Sequence, residues 1–269
     1  MELNAAQVQR ALLLAAVCSQ TYAQFSNEDG SFVLPPGYSL FDTIEAKSLI
    51  GVWERFGFIL QSPEEIVIAF RGTSSATNWI ADAIASQKSC GYIKETALTH
   101  RGFTAIYASA RKQILSALRR LPQDKALYVT GHSLGAALAT LCAVDIAANT
   151  ACTPILFTFA SPRVGDPDFA KAFAKYVPNS YRIANLFDVV THAPPYIYKL
   201  PKREKTYYYR HVPVSYPLNF QNGSVPANHV IDSYFAELAK LDADYAEQLS
   251  AASLGLCPVF SRLSSNSFV

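Results

Sequence analysis

Apolar residues in this chain recur with two spacings, one typical of strands and one typical of helices. Three strand-like runs come first, and strand-like and helix-like runs then alternate through the middle of the chain. The predicted strands are residues 41–46, 53–60, 65–70, 126–130, 155–160 and 181–186, and the predicted helices are residues 103–121, 136–148, 167–176 and 228–241. This order predicts an α/β fold with a mainly parallel central sheet flanked by helices, which the early strands extend as antiparallel neighbours.

The apolar run at residues 11–17 has two interpretations. It resembles the apolar region of a secretory signal peptide, with Ala23 near a possible cleavage site. The basic residues that normally precede such a region are missing, since Glu2 is there and Arg10 is the only early cation. The small and apolar residues that fall at helical spacing are Ala5, Val8, Leu12, Ala15 and Ala16. We therefore favour an amphipathic helix packed in the mature fold.

The composition is that of one large domain. The chain has 269 residues, half of them hydrophobic, and we expect a single domain over residues 1–269. The net charge is +2 and no basic run stands out, so nucleic acid is not expected as a partner. No apolar run reaches the length of about 20 residues that spans a bilayer. Residues 193–228 are rich in proline and tyrosine and are predicted to be irregular.

The five cysteines give an odd count and lack the spacing of a metal site. Cys142 falls in the predicted helix 136–148 and is expected in the core. A disulfide between Cys18 and Cys257 would join the two ends of the chain, but free thiols are the favoured interpretation. We expect neither a metal nor a cofactor.

The pentapeptide Gly131-His132-Ser133-Leu134-Gly135 lies between the strand-like run 126–130 and the helix-like run 136–148. This is the context of a nucleophile elbow, a sharp strand-to-helix turn that holds a serine in strained backbone angles. The flanking glycines remove side chains that would clash, and the helix N-terminus points free N–H groups at the reacting centre. The alternative is a glycine-rich turn with a solvated serine. The flanking elements favour Ser133 as a nucleophile.

A serine hydroxyl needs an imidazole to take its proton and a carboxylate to orient that imidazole. In the α/β-hydrolase fold that such an elbow indicates, the acid follows a later strand. Asp188 lies just beyond the predicted strand 181–186, at the end where such sheets place their active sites. Asp166 and Asp168 flank the proline that starts a helix, and Asp145 lies within the helix after the elbow. We favour Asp188, with a loop-capping role as its alternative.

Five histidines compete for the role of the base, and chain order separates them. His100 precedes the elbow, and His132 lies within it and points away from the serine. His192 follows the favoured acid by only four residues. His211 falls in a strand-like run, whereas His229 opens the last long helix, a good platform at the carboxyl edge of the sheet. We favour His229 and keep His211 as the alternative.

An oxyanion hole needs two donors that face the oxygen becoming negative in the transition state, and one such donor is worth roughly 3 kcal/mol. The N–H of Leu134, directly after the nucleophile, is one candidate. The predicted strand 65–70 ends in Arg71-Gly72-Thr73-Ser74-Ser75, a turn with a glycine and several hydroxyl groups. Thr73 is therefore the natural second donor.

Taken in order, these segments resemble the class 3 lipase family, the triacylglycerol lipases of filamentous fungi. The motifs that carry the resemblance are residues 68–73, Asn78-Trp79-Ile80-Ala81-Asp82, His100-Arg101-Gly102-Phe103, the elbow, Ser161-Pro162-Arg163-Val164-Gly165-Asp166, Asn185, Asp188, Pro194-Pro195 and His229. The resemblance implies an oxyanion donor at Thr73, a triad with Asp188 and His229, and Asp82 as the residue that holds Thr73. Secretion follows from the resemblance, and a cytoplasmic location is the alternative because the signal-peptide pattern is incomplete.

By the same resemblance, residues 74–90 are expected to form the family's lid, and the Asn78-Trp79 segment resembles its start. The apolar positions at helical spacing are Trp79, Ile80, Ala83 and Ile84. Such a face favours a lipase acting on acylglycerols at an oil–water interface, and a buried helix turn is its alternative. A soluble carboxylesterase, a feruloyl esterase and a phospholipase A1 are the competing activities. A hydrolase fold used only for binding is disfavoured because the triad is complete.

Overall fold

The computed structural model describes residues 2–73, 85–199 and 205–259. The strands in these ranges are β1 (Ser39–Lys47), β2 (Trp53–Gln61), β3 (Glu65–Phe70), β4 (Gln87–Ser89), β5 (Leu98–His100), β6 (Ala126–His132), β7 (Pro154–Phe159), β8 (Ser180–Asn185), β9 (Ile197–Lys199), β10 (Thr206–Tyr208) and β11 (Ser215–Leu218). Seven of these described strands form one sheet in the order β1-β2-β3-β6-β7-β8-β11.

The sheet combines an antiparallel edge with a parallel centre. Strands β1, β2 and β3 pair antiparallel. Strands β3, β6, β7, β8 and β11 pair parallel. Parallel neighbours need a crossover connection, which helices supply between β6, β7 and β8. The predicted α/β architecture, including the antiparallel early strands, is confirmed.

Helices cover both faces of the sheet. They are α1 (Ala5–Ser26), α2 (Arg101–Arg120), α3 (Leu134–Asn149), α4 (Pro167–Tyr176), α5 (Ile231–Ala239) and α6 (Ala243–Ala252). The core on one face contains the apolar sides of α2, α3 and α4, and the core on the other contains those of α1, α5 and α6. Among the described residues, no helix combines the length and the apolar character needed to cross a membrane.

Strand β3 shows why the central strands read as continuous apolar runs. Ile66 and Ile68 face one core, whereas Val67 and Ala69 face the other. A strand with helices on both sides buries both rows of side chains, so its sequence does not alternate between apolar and polar residues. This sheet fixes the position of the turn after β6, where the site lies.

Helix α1 begins with a capping box. The side chain of Asn4 accepts the N–H of Gln7, and the side chain of Gln7 accepts the N–H of Asn4, both at 2.9 Å. Leu12 and Ala15 are fully buried in the core that α1 shares with α5 and α6. The prediction of a packed helix in this segment is confirmed.

Residues 193–228 are more regular than the sequence indicates. Strands β9 and β10 form a short antiparallel pair, and β11 adds to the sheet beside β8. Strand β11 has four residues and contains Pro217, which is tolerated because the strand lies at an edge.

The predicted start of the last long helix, at residue 228, is wrong. Helix α5 begins at Ile231, and His229 lies in the turn before it, where its N–H donates to the carbonyl of Pro226.

His100 caps the start of α2 and makes stability sensitive to acid. Its Nδ1 accepts the N–H groups of Gly102 and Phe103, at 3.1 and 3.3 Å. Burial lowers the pKa of His100 from 6.5 to about 4. The unfolded chain therefore takes up this proton near pH 6.5, whereas the folded chain resists it down to pH 4. The free energy of unfolding should fall by up to about 3 kcal/mol from this group as the pH drops through that window.

We expect His100→Asn to flatten the dependence of stability on pH between 6.5 and 4. Asparagine retains the capping acceptor and does not titrate. Desolvation also lowers the pKa values of His132 and His211, so the slope should decrease rather than vanish. Urea unfolding at several pH values measures the slope, and an unchanged slope in the variant would contradict the assignment.

Candidate active site

Ser133 sits on a sharp turn between β6 and α3. Its backbone angles are φ 58° and ψ −126°, a strained combination for a residue with a side chain. The turn is tight: a Cβ at Gly131 would lie 2.3 Å from the carbonyl oxygen of Gly135. A Cβ at Gly135 would lie 2.2 Å from the carbonyl oxygen of Phe70 on β3. Both glycines are therefore required by close backbone approach, as an elbow demands.

A continuous chain of hydrogen bonds joins Ser133, His229 and Asp188. Nε2 of His229 lies 2.9 Å from Oγ of Ser133, and Nδ1 of His229 lies 2.8 Å from Oδ2 of Asp188. Ser133 and Asp188 are fully buried, and His229 is 6% exposed. The structure thus brings together the three residues that the sequence selected from distant parts of the chain. This is the arrangement that lets an imidazole take a proton from a serine while a carboxylate fixes its orientation.

Asp188 is held by more than the histidine. Its Oδ1 accepts the N–H of Val190 at 2.9 Å, and its Oδ2 also accepts the hydroxyl of Tyr234 at 2.7 Å. The same Tyr234 oxygen accepts the N–H of Asn185 at 2.9 Å. Burial, followed by the nearby Asp188 charge, raises the pKa of Tyr234 well above its ordinary value, so the phenol remains a donor. Three donors therefore stabilise and orient the buried carboxylate.

His132 forms a hydrogen bond with the backbone of His229. One ring nitrogen, Nε2, lies 2.7 Å from the carbonyl oxygen of His229, and Nδ1 lies 2.6 Å from the hydroxyl of Tyr22. Burial, and then the neighbouring His229, lower the pKa of His132 well below its ordinary value. A neutral ring donates from one nitrogen and accepts at the other, so Nε2 donates to the carbonyl and Tyr22 donates to Nδ1. Neither nitrogen contacts Ser133, as predicted.

The remaining histidines have other contacts. Nε2 of His211 lies 2.7 Å from the carbonyl oxygen of Thr191, and Nε2 of His192 lies 3.2 Å from that of Leu186. His100 caps α2 as described above. His229, not His211, is thus the histidine that the fold brings to Ser133.

The competing aspartates also have structural contacts. Asp166 caps α4 by accepting the N–H of Phe169 at 2.8 Å, and Asp168 is exposed in the first turn of that helix. Asp145 is fully buried, where it pairs with Arg111 and accepts the hydroxyl of Tyr107. None of these carboxylates contacts the histidine beside Ser133.

The two predicted oxyanion donors belong to segments next to Ser133: Leu134 follows it directly, and a Cβ at Gly72, the residue before Thr73, would lie 3.0 Å from Cβ of Ser133. Leu134 is the first residue of α3, so its N–H has no partner within the helix. Thr73 lies just beyond β3, and its Oγ1 is buried without a hydrogen-bond partner among the described residues. A buried hydroxyl without a partner is costly, and a ligand oxygen would satisfy it.

Two cavities meet at Thr73. One, of about 490 Å³, also borders Tyr22, His229 and Val230. The other, of about 280 Å³, borders Leu134 and the apolar side chains of Leu49, Ile50, Phe25, Phe56 and Ile106. Thr73 therefore borders both cavities, one of which reaches His229 and the other Leu134.

The described part of the predicted lid is held in place. Within residues 85–90, strand β4 pairs with β5, and the carbonyl of Ala85 accepts the hydroxyl of Tyr209 at 3.0 Å. The rest of the predicted lid, including Trp79, Ile80, Ala83 and Ile84, lies outside the described residues. So does Asp82, the expected partner of Thr73.

Two tyrosines at this site were not selected from the sequence. Tyr22 carries a weak signal, because it is a polar residue on a helix face that otherwise buries small and apolar side chains such as Cys18. Tyr234 carries none, since an aromatic residue in an amphipathic helix is an ordinary core residue. The five cysteines are free thiols. Among the described residues, no cluster of His, Cys, Asp and Glu could hold a metal ion.

Comparison with known proteins now identifies the family. Residues 67–198, about half of the chain, match the family model described as Lipase (class 3). The chain belongs to the class 3 lipase family. The matched range includes Ser133 and Asp188, whereas His229 lies beyond it. The resemblance drawn from the sequence motifs is confirmed.

Relatives come from plants and fungi. The protein named phospholipase A1-II 7 of Oryza sativa subsp. indica is 36% identical over 168 residues, which cover 49% of this chain and 41% of the relative. A lipase of Rhizomucor miehei is 38% identical over 146 residues, which cover 50% of this chain and 39% of the relative. The chain thus spans about two-fifths of the length of these curated relatives.

Solved structures share the fold over more of the chain. The mono- and diacylglycerol lipase from Aspergillus oryzae is 25% identical and has a TM-score of 0.66. The similarity covers 81% of this chain and 82% of that one. The α/β-hydrolase fold predicted from the elbow is confirmed.

Proposed function

We propose that this class 3 lipase is a serine hydrolase that cleaves the carboxylic ester bonds of acylglycerols. The observation that supports this proposal most strongly is the buried hydrogen-bonded chain from Ser133 through His229 to Asp188. The strained elbow adds support, because backbone strain of this kind is retained where the surrounding structure holds a functional residue in place. No cofactor takes part in the proposed reaction.

In the proposed reaction, Oγ of Ser133 attacks the ester carbonyl while its proton moves to Nε2 of His229. Asp188 stabilises the resulting imidazolium and keeps Nδ1 as the protonated nitrogen that faces it. His229 then gives the proton to the leaving alcohol, which leaves an acyl group on Ser133. A water molecule, deprotonated by the same Nε2, attacks this acyl-enzyme. Release of the fatty acid restores the serine hydroxyl.

The negative oxygen of each tetrahedral intermediate is assigned to the N–H of Leu134 and to the N–H and hydroxyl of Thr73. Leu134 directly follows the nucleophile, and Oγ1 of Thr73, which is buried without a hydrogen-bond partner among the described residues, supports a donor role. Donors that are already in position cost little reorganisation during the reaction, and each is worth roughly 3 kcal/mol.

The proposed substrates are acylglycerols, acted on at an oil–water interface. The relatives named as lipases and as a mono- and diacylglycerol lipase favour this class. The apolar lining of the cavity bordered by Leu49 and Ile50 is suited to an acyl chain. Phospholipase A1 activity is the second candidate, since relatives from Oryza sativa and Arabidopsis thaliana carry that name.

Hydrolysis rates on three substrate types test the proposal. We expect hydrolysis of p-nitrophenyl esters with short and with long acyl chains, and of emulsified triacylglycerol. Parallel assays on phosphatidylcholine vesicles measure phospholipase activity. Attack on short soluble esters alone would favour a soluble esterase, and preferential attack on phosphatidylcholine would favour the phospholipase. Absence of hydrolysis and of fluorophosphonate labelling would contradict any serine hydrolase.

The proposed lid predicts a jump in activity when a partly soluble ester forms an emulsion. A closed lid would hide Trp79, Ile80 and Ile84, and a lipid surface would offer them an apolar partner worth roughly 25 cal/mol per Å² buried. Replacing all three with serine should remove the jump and spare hydrolysis of a short soluble ester. A wild-type rate that saturates with dissolved substrate would contradict the lid.

We expect Thr73→Val to lower kcat by roughly 10- to 100-fold, because one oxyanion donor of several is removed while the backbone N–H remains. Valine retains the shape of threonine, so changes in packing are small. Thr73→Ser restores a hydroxyl at the same place and should recover most of the activity. A change confined to KM in the valine variant would contradict a role in the oxyanion hole.

A further inference from the structure

A cleft of about 670 Å³ lies away from the elbow, between α4 and residues 210–215. Its lining shares no residue with the two cavities that meet at Thr73. The charged side chains that line it are three cations, Lys171, Arg182 and Arg210, and one carboxylate, Asp168. The lining therefore has an excess of two positive charges. Neither the proposed reaction nor the packing of α4 requires such an excess.

Arg182 is the central observation, because it is partly buried and has no charged partner within the ranges 2–73, 85–199 and 205–259. Among the described residues, its guanidinium makes a single hydrogen bond, from Nε to the carbonyl of Val212 at 3.3 Å. By contrast, Arg10, Arg71 and Arg111 each reach a carboxylate within 2.8 Å. Burial, and then the neighbouring cation Arg163, lower the pKa of Arg182 to about 10. A desolvated guanidinium that borders a cleft is stabilised by a bound anion.

The other cations are available at the mouth of the same cleft. Lys171 and Arg210 are exposed, and neither forms an ion pair among the described residues. His211 also borders the cleft, where it donates from Nε2 to the carbonyl of Thr191. Burial, and then the charge of Arg182, lower the pKa of His211 to about 3. The ring of His211 is therefore uncharged near neutral pH, and its pKa responds to the positive charge of the cleft.

We propose that this cleft binds a phosphate group through Arg182, Arg210 and Lys171. The excess of two positive charges matches a phosphate monoester, which carries a charge of about −1.5 to −2 near neutral pH. Guanidinium groups bind phosphate oxygens in pairs, and a lysine adds a point charge. The proposal is independent of ester hydrolysis, since it uses none of the residues at Ser133.

Thermal unfolding of the full chain tests the site with inorganic phosphate as the probe. Sodium phosphate should raise the midpoint temperature of unfolding above its value in sodium chloride at the same ionic strength, and this increase should saturate with phosphate concentration. Arg210→Gln and Arg182→Met should each weaken the apparent affinity by roughly 10- to 100-fold, the effect of removing one charged hydrogen-bonding partner. Arg119→Gln removes an exposed arginine elsewhere and should leave the affinity unchanged. Arg210 is exposed, so its variant remains informative if Arg182→Met does not fold.

A spectroscopic measurement separates binding from general stabilisation by salt. Bound phosphate should raise the pKa of His211, measured by NMR titration of its ring, whereas chloride should not. Equal midpoints in the two salts, or equal phosphate effects in wild type, Arg182→Met and Arg210→Gln, would overturn the proposal. So would an equal loss of affinity in Arg119→Gln.

Two further probes distinguish a free phosphate from a lipid headgroup. They are glycerol 3-phosphate in solution and phosphatidylcholine vesicles with or without phosphatidic acid. The Ser133→Ala protein prevents lipid cleavage, so binding is measured even if ester hydrolysis proves absent. Loss of phosphatidic acid binding in Arg210→Gln indicates a headgroup site. Loss of glycerol 3-phosphate binding alone indicates a soluble ligand, and no loss with either probe overturns the proposal.

Discussion

Ser133→Ala is expected to reduce kcat for ester hydrolysis by about 10⁶-fold, leaving at most a residual acceleration of roughly 10³- to 10⁴-fold over water. The variant removes the Oγ atom that lies 2.9 Å from Nε2 of His229. Neither the buried histidine nor the oxyanion donors supply another nucleophile. Steady-state rates on a p-nitrophenyl ester measure the loss.

Ser161 provides a matched control for this prediction. It is also a buried serine, but its Oγ donates to the carbonyl of Pro162 at 3.0 Å. Ser161→Ala should keep most of the activity and remain labelled by a fluorophosphonate, whereas Ser133→Ala should lose both. A folded Ser133→Ala protein with nearly wild-type turnover, or labelling that persists in it, would contradict the assignment of the nucleophile.

Local chemistry made the elbow predictable from the sequence. Gly131 and Gly135 are dictated by backbone contacts within the turn and with β3, so the pattern around Ser133 reflects the geometry directly. Strand β6 before the elbow and its neighbours β3 and β7 are buried on both faces, and their continuous apolar runs mark them. Asp188 follows the same logic, because parallel strands direct their carboxyl ends to one edge of the sheet.

Long-range contacts could not be predicted in the same way. His229 was selected from chain order, but the proposed reason was wrong, because the residue lies in a turn and not at the start of α5. Its position depends on the carbonyl contact with His132 and on Tyr22, far away in α1. Tyr234 reaches Asp188 only through the packing of α5 on the sheet. Contacts between residues this far apart in the chain leave no pattern in the local sequence.

The edge strand β11 illustrates a second limit. Its four residues include a proline, and the alternation of Tyr216 and Leu218 with Ser215 and Pro217 is too short to predict a strand. It forms because β8 offers a free edge, to which the chain returns in parallel. Pairing energy from the partner therefore outweighs weak local preference. The same reason accounts for the short pairs β4 with β5 and β9 with β10.

Asp188→Asn should preserve the fold and lower kcat by about 10⁴-fold. The amide retains the shape of the carboxylate and can still accept from Val190 or Tyr234. It no longer provides the charge that stabilises the His229 imidazolium. It also presents a donor where an acceptor is needed, which favours the tautomer of His229 whose Nε2 cannot take the serine proton.

Asp145→Asn is the matched control for this last prediction. Asp145 is equally buried and also accepts a tyrosine hydroxyl, that of Tyr107 at 2.7 Å, but it contacts no residue of the triad. Its variant should lose stability and keep kcat once folded, whereas Asp188→Asn should lose kcat at similar stability. His229→Ala should be at least as damaging to kcat as Asp188→Asn, and His211→Ala should retain most activity. Thermal unfolding and steady-state kinetics separate loss of stability from loss of kcat. Similar kcat losses in Asp188→Asn and Asp145→Asn would mean that buried charge, and not orientation of His229, explains the effect.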